Sequence, residues 1–322
     1  MFLKIITESF RFSTIFLFGS AGETVTEKSG HLNLGTPGIV CIGSMGSMLG
    51  AYFYLSISGG NTIPFLAFLF PLLFCLLFAG LAGTLFSFFA VTLKCNQNVT
   101  GLALTTFGSG LLPFVSSSLD GETTAMFSTK IAKPISHLFA KSFYESNWFT
   151  QLFFSYGILV YLGIVVAILI AVFMKRTKTG LFLRTVGENP AAADAAGINV
   201  YRYRYLATII GSAITGIGGM FYTFDFVGGA LSTSFTAEYG WLAVSLVIFT
   251  MWNTEIGIAG SFLFAFLYIA PGYISGSPVS KQLIKTIPYV ATLIILVLTS
   301  IFSKRLGKAP AGLGLSYFRE DR

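Results

Sequence analysis

Charge is what this chain has least of. Its 322 residues include 20 Lys and Arg, 13 Asp and Glu and two His, so charged side chains make up 10% of the sequence against 54% hydrophobic ones. With a mean hydropathy of +0.77, that balance excludes an ordinary soluble domain of this length. Cysteine is scarce too. Cys41, Cys75 and Cys95 sit in or beside apolar runs without metal-ligand spacing, so they read as packing residues and no disulfide framework or zinc site is expected. His31 and His137 stand far apart and form no metal motif. No catalytic constellation is visible, and no G-x-x-x-x-G-K-[ST] loop occurs, so any ATP used with this chain is bound elsewhere.

What the chain has instead is a series of long apolar runs without period-2 alternation, which argues against an outer-membrane barrel. The expected fold is all-α: a polytopic membrane helix bundle of about eight to ten transmembrane helices, some broken or re-entrant, in a single domain over residues 1–322. The runs are Phe2 to Gly19, Ile39 to Ile57, Pro64 to Leu93, Asn98 to Ser117, Trp148 to Met174, Tyr205 to Phe226, Trp241 to Met251, Gly257 to Ile274 and Ile284 to Phe302. Glu8 and Arg11 interrupt the first run before any cleavage site, so it is read as a retained helix. Pro64 to Leu93 exceeds the roughly 20 residues of one span, and reads either as one tilted helix or as a span plus a partial helix.

Small residues recur at helical spacing in two runs, at Gly43, Ser47 and Ala51 with Gly46 and Gly50 beside them, and at Ala207, Gly211, Thr215 and Gly219. Such stripes let neighbouring helices approach closely. Two polar, glycine-bearing stretches precede apolar runs, Ala21 to Gly38 and Gly228 to Gly240, and paired breaks of this kind point to a transport path.

Charge placement sets orientation. Lys175, Arg176, Lys178, Arg184, Arg202 and Arg204 flank the centre, and Lys304, Arg305, Lys308, Arg319 and Arg322 lie in the tail, so both segments face the cytoplasm. That placement argues against nucleic acid as the partner of a chain of net charge +7. The loop from Ser118 to Asn147 balances Lys130, Lys133 and Lys141 against Asp120, Glu122 and Glu145, which suits the outside. Counting back puts Lys94 inside, which demands an external N-terminus or an early segment that is re-entrant or doubled.

Between two apolar runs lies a polar island, GLFLRTVGENPAAADAAGINV, Gly180 to Val200. Asn189 is a good N-cap, Pro190 suits the first helical position, Ala191 to Ala196 favour helix, and Gly197 supplies a left-handed stop. A helix of one or two turns is marginal alone. Its marked termini suggest a shape held for a partner protein to grip.

GENPAAADAAGI resembles the cytoplasmic coupling loop of ABC importer permeases of the branched-chain amino acid and simple sugar class, most closely the nucleoside and simple-sugar branch. ETVTEKSGHLNLGTPG is similar to that family's early motif, with Glu23, Glu27, Lys28, Asn33 and Gly35 matching and Pro37 standing where nucleoside-type members commonly have Glu. Asn98 to Gly108 and Ala237 to Asn253 are similar to two further family segments, with Tyr239 where an Arg is often found. The likeness covers nearly the whole chain. It implies an importer permease of the bacterial cytoplasmic membrane that carries no catalysis and binds no cofactor. ATP and Mg would sit on a partner ATPase, which Glu188, Asn189, Pro190, Asp194 and Gly197 would contact. A second permease subunit, identical or homologous, and an extracytoplasmic or lipoprotein solute-binding protein complete the expected partners. Nucleosides come first as solute, with riboflavin and simple sugars as alternatives; an ion-driven secondary transporter and a non-transporting scaffold are the rivals of another class.

Charges buried in a membrane bundle are costly and mark candidate functional positions. Glu23, Asp225 and Glu238 lie in or beside the breaks. Glu23, Asn33, Gly35, Asn98, Glu238 and Trp241 are the candidate solute-path residues, with carboxylates and amides to hydrogen-bond a hydrophilic solute and an indole to stack on a planar one; the alternative reading has the carboxylates bridging helices or facing interfacial water, and Trp241 anchoring the chain at the membrane interface.

Overall fold

A backbone surrounded by lipid must satisfy its own N–H and C=O groups, so the apolar runs become helices. The computed structural model describes residues 2–119, 121–136, 147–230, 236–273, 282–284, 286–301 and 309–318; Asp120, His137, Lys141, Glu145, Lys304, Arg305, Lys308, Arg319 and Arg322 lie outside them. In chain order come α1 (Phe2–Glu27), α2 (Thr36–Ser58), α3 (Pro64–Ser87, with a π turn Phe88–Thr92) and α4 (Gln97–Ser117). After them come α5 (Gly121–Met126, with a π turn Phe127–Ala132), α6 (Lys133–Ser136), α7 (Trp148–Phe154) and α8 (Ile158–Arg176). The second half holds α9 (Lys178–Glu188), α10 (Pro190–Ala195), α11 (Val200–Met220, with a π turn Phe221–Phe226), α12 (Thr236–Phe249), α13 (Thr254–Ile269) and α14 (Ile287–Ile301). Six of these, α2, α3, α4, α8, α11 and α13, are long and apolar enough to cross a membrane.

α1 runs through the centre. It packs on α8, α11, α12 and α13, and from Phe12 to Glu27 every side chain is buried. This corrects the expected end at Gly19: the polar residues Ser20 to Glu27 continue the helix. Thr24 and Thr26 donate their hydroxyls to the carbonyls of Ser20 and Gly22, and Gly19 and Gly22 abut Ala243 and Gly211, so polarity is absorbed locally and small size is used for packing. Only residues 28–35 break the chain. Likewise Pro64 to Leu93 is one helix finished by a π turn, not a span plus a partial second helix.

The glycine stripes divide their labour. Gly43 meets Gly216 of α11, while Gly46 and Gly50 of α2 meet the backbone of Phe74 and Phe70 and the Cβ atoms of Phe78 and Phe74 on α3. Gly219 lies under the Val40 carbonyl. The two breaks do not share one end of the bundle: Gly30 lies against Gly187, Gly229 lies against Phe127, and residues 231–235 of the second break are outside the description. Gly240 of α12 nevertheless sits on Pro37 of α2.

One end of the bundle gathers the finish of α1, the starts of α2, α4 and α11, helices α9 and α10, and the tail 309–318, together with Lys28, Lys94, Lys175, Arg176, Lys178, Arg184, Arg202 and Arg204. The start of α1 lies at the opposite end, where Arg11 Nε holds Asp225 Oδ1 at 2.9 Å across to the end of α11. Asp225 is fully buried and bridges helices. Three helices running between the two ends, α1, α2 and α3, then bring Lys94 to the basic end. At the far end the loop expected from Ser118 to Asn147 is partly helical, with Phe127, Ile131 and Ile135 tucked under the bundle.

Candidate functional site

The polar island becomes two helices with a sharp corner. α9 ends at Glu188, and Asn189 turns the chain in extended geometry while its Oδ1 accepts the N–H of Ala192 at 2.9 Å, the cap read from the sequence. Pro190 opens α10, and Gly197 closes it at φ +81°, where the Ile198 N–H reaches back to the Ala193 carbonyl. α10 is anchored by one residue: Ala193 is fully buried in a small cluster with Val186, Val200 and Tyr317. The other side of the corner is open, with Glu188, Asn189, Ala191, Ala192, Ala195, Ala196 and Gly197 all exposed.

Two of the five expected contact residues are engaged within the chain itself. Asp194 Oδ2 accepts the Tyr317 hydroxyl at 2.8 Å, and Glu188 Oε2 accepts the Ala311 N–H at 3.1 Å. The tail that supplies these donors carried no signal beyond its basic residues. Its glycines and aromatics, AGLGLSYF, were the trace of an ordered segment.

Above α10 the loop 28–35 threads between helices. Gly187 lets it pass, since a Cβ there would lie 2.2 Å from the Lys28 carbonyl oxygen. His31 is fully buried, its Nδ1 2.9 Å from Thr208 Oγ1. Thr208 donates its own proton to the Arg204 carbonyl, so the imidazole donates from Nδ1. Burial, and then the Arg204 guanidinium, hold the imidazole pKa well below its ordinary 6.5, so it stays neutral. Burial also lowers Lys28, with the Glu188 charge opposing and Arg184 adding to the effect.

The loop ends on Glu23. Its Oε2 accepts Asn33 Nδ2 at 3.2 Å and the Thr36 hydroxyl, while Asn33 Oδ1 takes the Gly35 N–H at 3.0 Å. Glu23, Asn33 and Gly35 therefore meet, as candidates from one motif should. Glu23 is 1% exposed and pins the start of α2 to α1. Glu27, one turn on, accepts the Trp252 indole N–H. Asn98 stands apart: it is exposed at the start of α4, its N–H donating to the Asn96 cap, and the inward residue is Gln97, whose Oε1 holds the Leu32 N–H at 2.8 Å. Glu238 and Trp241 are half-buried at the start of α12. Glu238 lies beside Tyr268 and Tyr289, and Tyr239 joins Tyr268, Tyr222 and Phe12 in an aromatic cluster with centroids 5.0–5.6 Å apart. That cluster was missed because its members are spread over four helices. Among the described residues no group of three or more His, Cys, Asp or Glu is placed to hold a metal.

Residues 5–314 match the family described as "Branched-chain amino acid transport system / permease component". The chain is 31% identical to the nucleoside ABC transporter permease protein NupC of Lactococcus lactis, covering 98% of this chain and 96% of the relative. It is 29% identical to the guanosine ABC transporter permease protein NupQ of Bacillus subtilis, over 99% and 97% of the two chains. Identity is 28% to the putative glucose ABC transporter permease protein TsgC13 of Haloferax volcanii, over 96% and 95%. No solved structure matches significantly. With a full-length family match, a bundle of membrane-crossing helices and a capped, open corner at its basic end, the chain belongs to the branched-chain amino acid and simple sugar class of ABC transporter permeases, and is a multi-pass membrane subunit.

Proposed function

We propose that this permease imports nucleosides, and that α10 is its contact with a separate ATPase. The observation that carries the coupling reading is the asymmetry of α10: one face is anchored through Ala193, the other is open with its N-cap intact, at the end where Lys and Arg gather. A motor that closes on ATP and Mg would push this corner and bias the bundle between two states, which requires differential contact with each state. Beside the ATPase, the working complex includes a second permease and an extracytoplasmic solute-binding protein. The nucleoside reading rests on relatives whose names state nucleoside and guanosine transport; a relative named for glucose keeps sugars as the second reading.

Two measurements test this. Ala192→Arg places bulk on the open face without touching the bundle, so the variant inserts normally while the ATPase no longer co-purifies and uptake falls at least about tenfold, as for loss of a central interface contact. Unchanged uptake and co-purification would remove α10 from the interface. The solute is read from what the purified binding protein retains: a nucleoside supports the assignment, a hexose overturns it.

A further inference from the structure

A six-residue helix anchored by one alanine cannot transmit force unless something stiffens it. The described tail, residues 309–318, does so by crossing three segments in turn. Ala311 N–H donates to Glu188 Oε2, and Gly312 N–H to the Gly187 carbonyl at 2.9 Å, which ties the tail to the end of α9. Gly314 N–H donates to the Gly30 carbonyl at 3.0 Å, which ties it to the loop that ends on Glu23. The Leu315 carbonyl accepts Arg204 Nη1 at 3.1 Å, which ties it to α11. Arg204 is 2% exposed, so this carbonyl partners a buried guanidinium. Finally Tyr317, 8% exposed, fills the space between Val186, Ala193 and Val200 and donates its hydroxyl to Asp194.

We propose that residues 309–318 are a strap that fixes α10 to the loop 28–35 and to α11, with Tyr317 as the positioning residue that makes displacement of α10 a displacement of the bundle. This rests on the reading of α10 as the ATPase contact. The physical argument is continuity. From Asp194 through Tyr317, the strap, the Gly30 carbonyl and the loop to Asn33, Thr36 and Glu23, each step is a hydrogen bond or a short run of covalent chain. Without the strap α10 keeps its cap and its open face, so the ATPase still binds, but part of its stroke is spent in moving α10 alone. Spatial continuity does not prove coupling, so the test must read coupling directly.

The experiment uses the full complex in proteoliposomes and compares nucleoside taken up per ATP hydrolysed, with guanosine as the first probe and adenosine and uridine as replacements if guanosine is not carried. Removing residues 309–322 is expected to leave ATPase co-purification intact and to lower uptake per ATP roughly fivefold or more. Tyr317→Phe, which removes one hydroxyl and keeps the ring, is expected to lower it about threefold, the value of one hydrogen bond. Asp194→Leu, which removes the acceptor of that hydroxyl, is expected to lower it at least as far. A wild-type ratio in the truncated chain overturns the strap, and if the truncated chain fails to insert, a wild-type ratio in Tyr317→Phe does so. Ala192→Arg separates the two readings. If that variant loses the ATPase while the tail variants couple normally, the strap alone fails; if it couples normally, the ATPase contact itself lies elsewhere.

Discussion

At the scale of single residues, the basic end holds His31, whose burial disfavours the charged imidazole in the folded state. A histidine in the unfolded chain titrates near 6.5. Burial and Arg204 hold His31 well below that in the folded chain. Between the two values the unfolded state binds the extra proton, so stability rises with pH there, is fully present above about 6.5, and is lost as pH falls below it. In detergent, the thermal midpoint should therefore drop between pH 7.5 and pH 5.5, and His31→Asn, which keeps a donor toward Thr208 but cannot take up a proton, should drop less. Equal slopes in the two proteins would show that His31 does not set the acid limb. Glu23 illustrates the complementary case, a buried carboxyl whose partners lie close in sequence. Its partners Asn33 and Thr36 lie within the same motif, so local sequence brought them together. Tyr317 and Asp194 are 123 residues apart, and nothing local could have paired them.

Among the helices, two kinds of glycine look alike in sequence and differ in consequence. Gly43 faces Gly216, and a Cβ there would stand 2.4 Å from the Gly216 Cα, so Gly43→Val must push α2 away from α11. Overpacking of this kind costs about 1–3 kcal/mol. Gly110, exposed on α4, has nothing within 4 Å of an added Cβ, and Gly110→Ala should leave stability unchanged or raise it by up to about 1 kcal/mol. Thermal midpoints of the two purified variants check the contrast, and a Gly43→Val protein as stable as the parent would refute the close α2–α11 contact. The stripes themselves could be read from spacing, because a four-residue period of small side chains has one geometric meaning on a helix. Which neighbour each stripe meets could not, since that depends on tertiary arrangement. The same limit explains the end of α1: Ala21 to Glu27 read as part of a break because polar residues seemed unfit for lipid, but this stretch of helix is ringed by α8, α11, α12 and α13 and buried. α10 escaped this limit. Its cap, first-position proline and terminal glycine are local chemistry, and the structure reproduces each of them.

For the whole molecule, orientation follows from parity. Among the described residues, α1, α2, α3, α4, α8, α11, α12, α13 and α14 are nine helices that run between the two ends, an odd number, which agrees with the start of α1 and the tail 309–318 lying at opposite ends of the bundle. Beyond the six long apolar helices stand α1, which carries Glu23 and Glu27, and the shorter α12 and α14. Charge gave the sign of the arrangement at the centre, where Lys175 to Arg204 crowd one end, but was silent about the start, where Lys4 and Arg11 set a weak basic signal against Glu8. If α10 meets an ATPase at the cytoplasmic face, as proposed above, the start of α1 is external. Single cysteines placed at Lys4 and at Ala196, in a chain with Cys41, Cys75 and Cys95 replaced, test this with a membrane-impermeant maleimide. Both positions are exposed in the chain itself, so in cells that lack the partner ATPase access is decided by side alone. The expected result is labelling at position 4 in intact cells and at position 196 only after permeabilisation. Labelling of both from the same side would break the parity, and labelling of position 196 from outside would put α10 where no cytoplasmic ATPase could reach it.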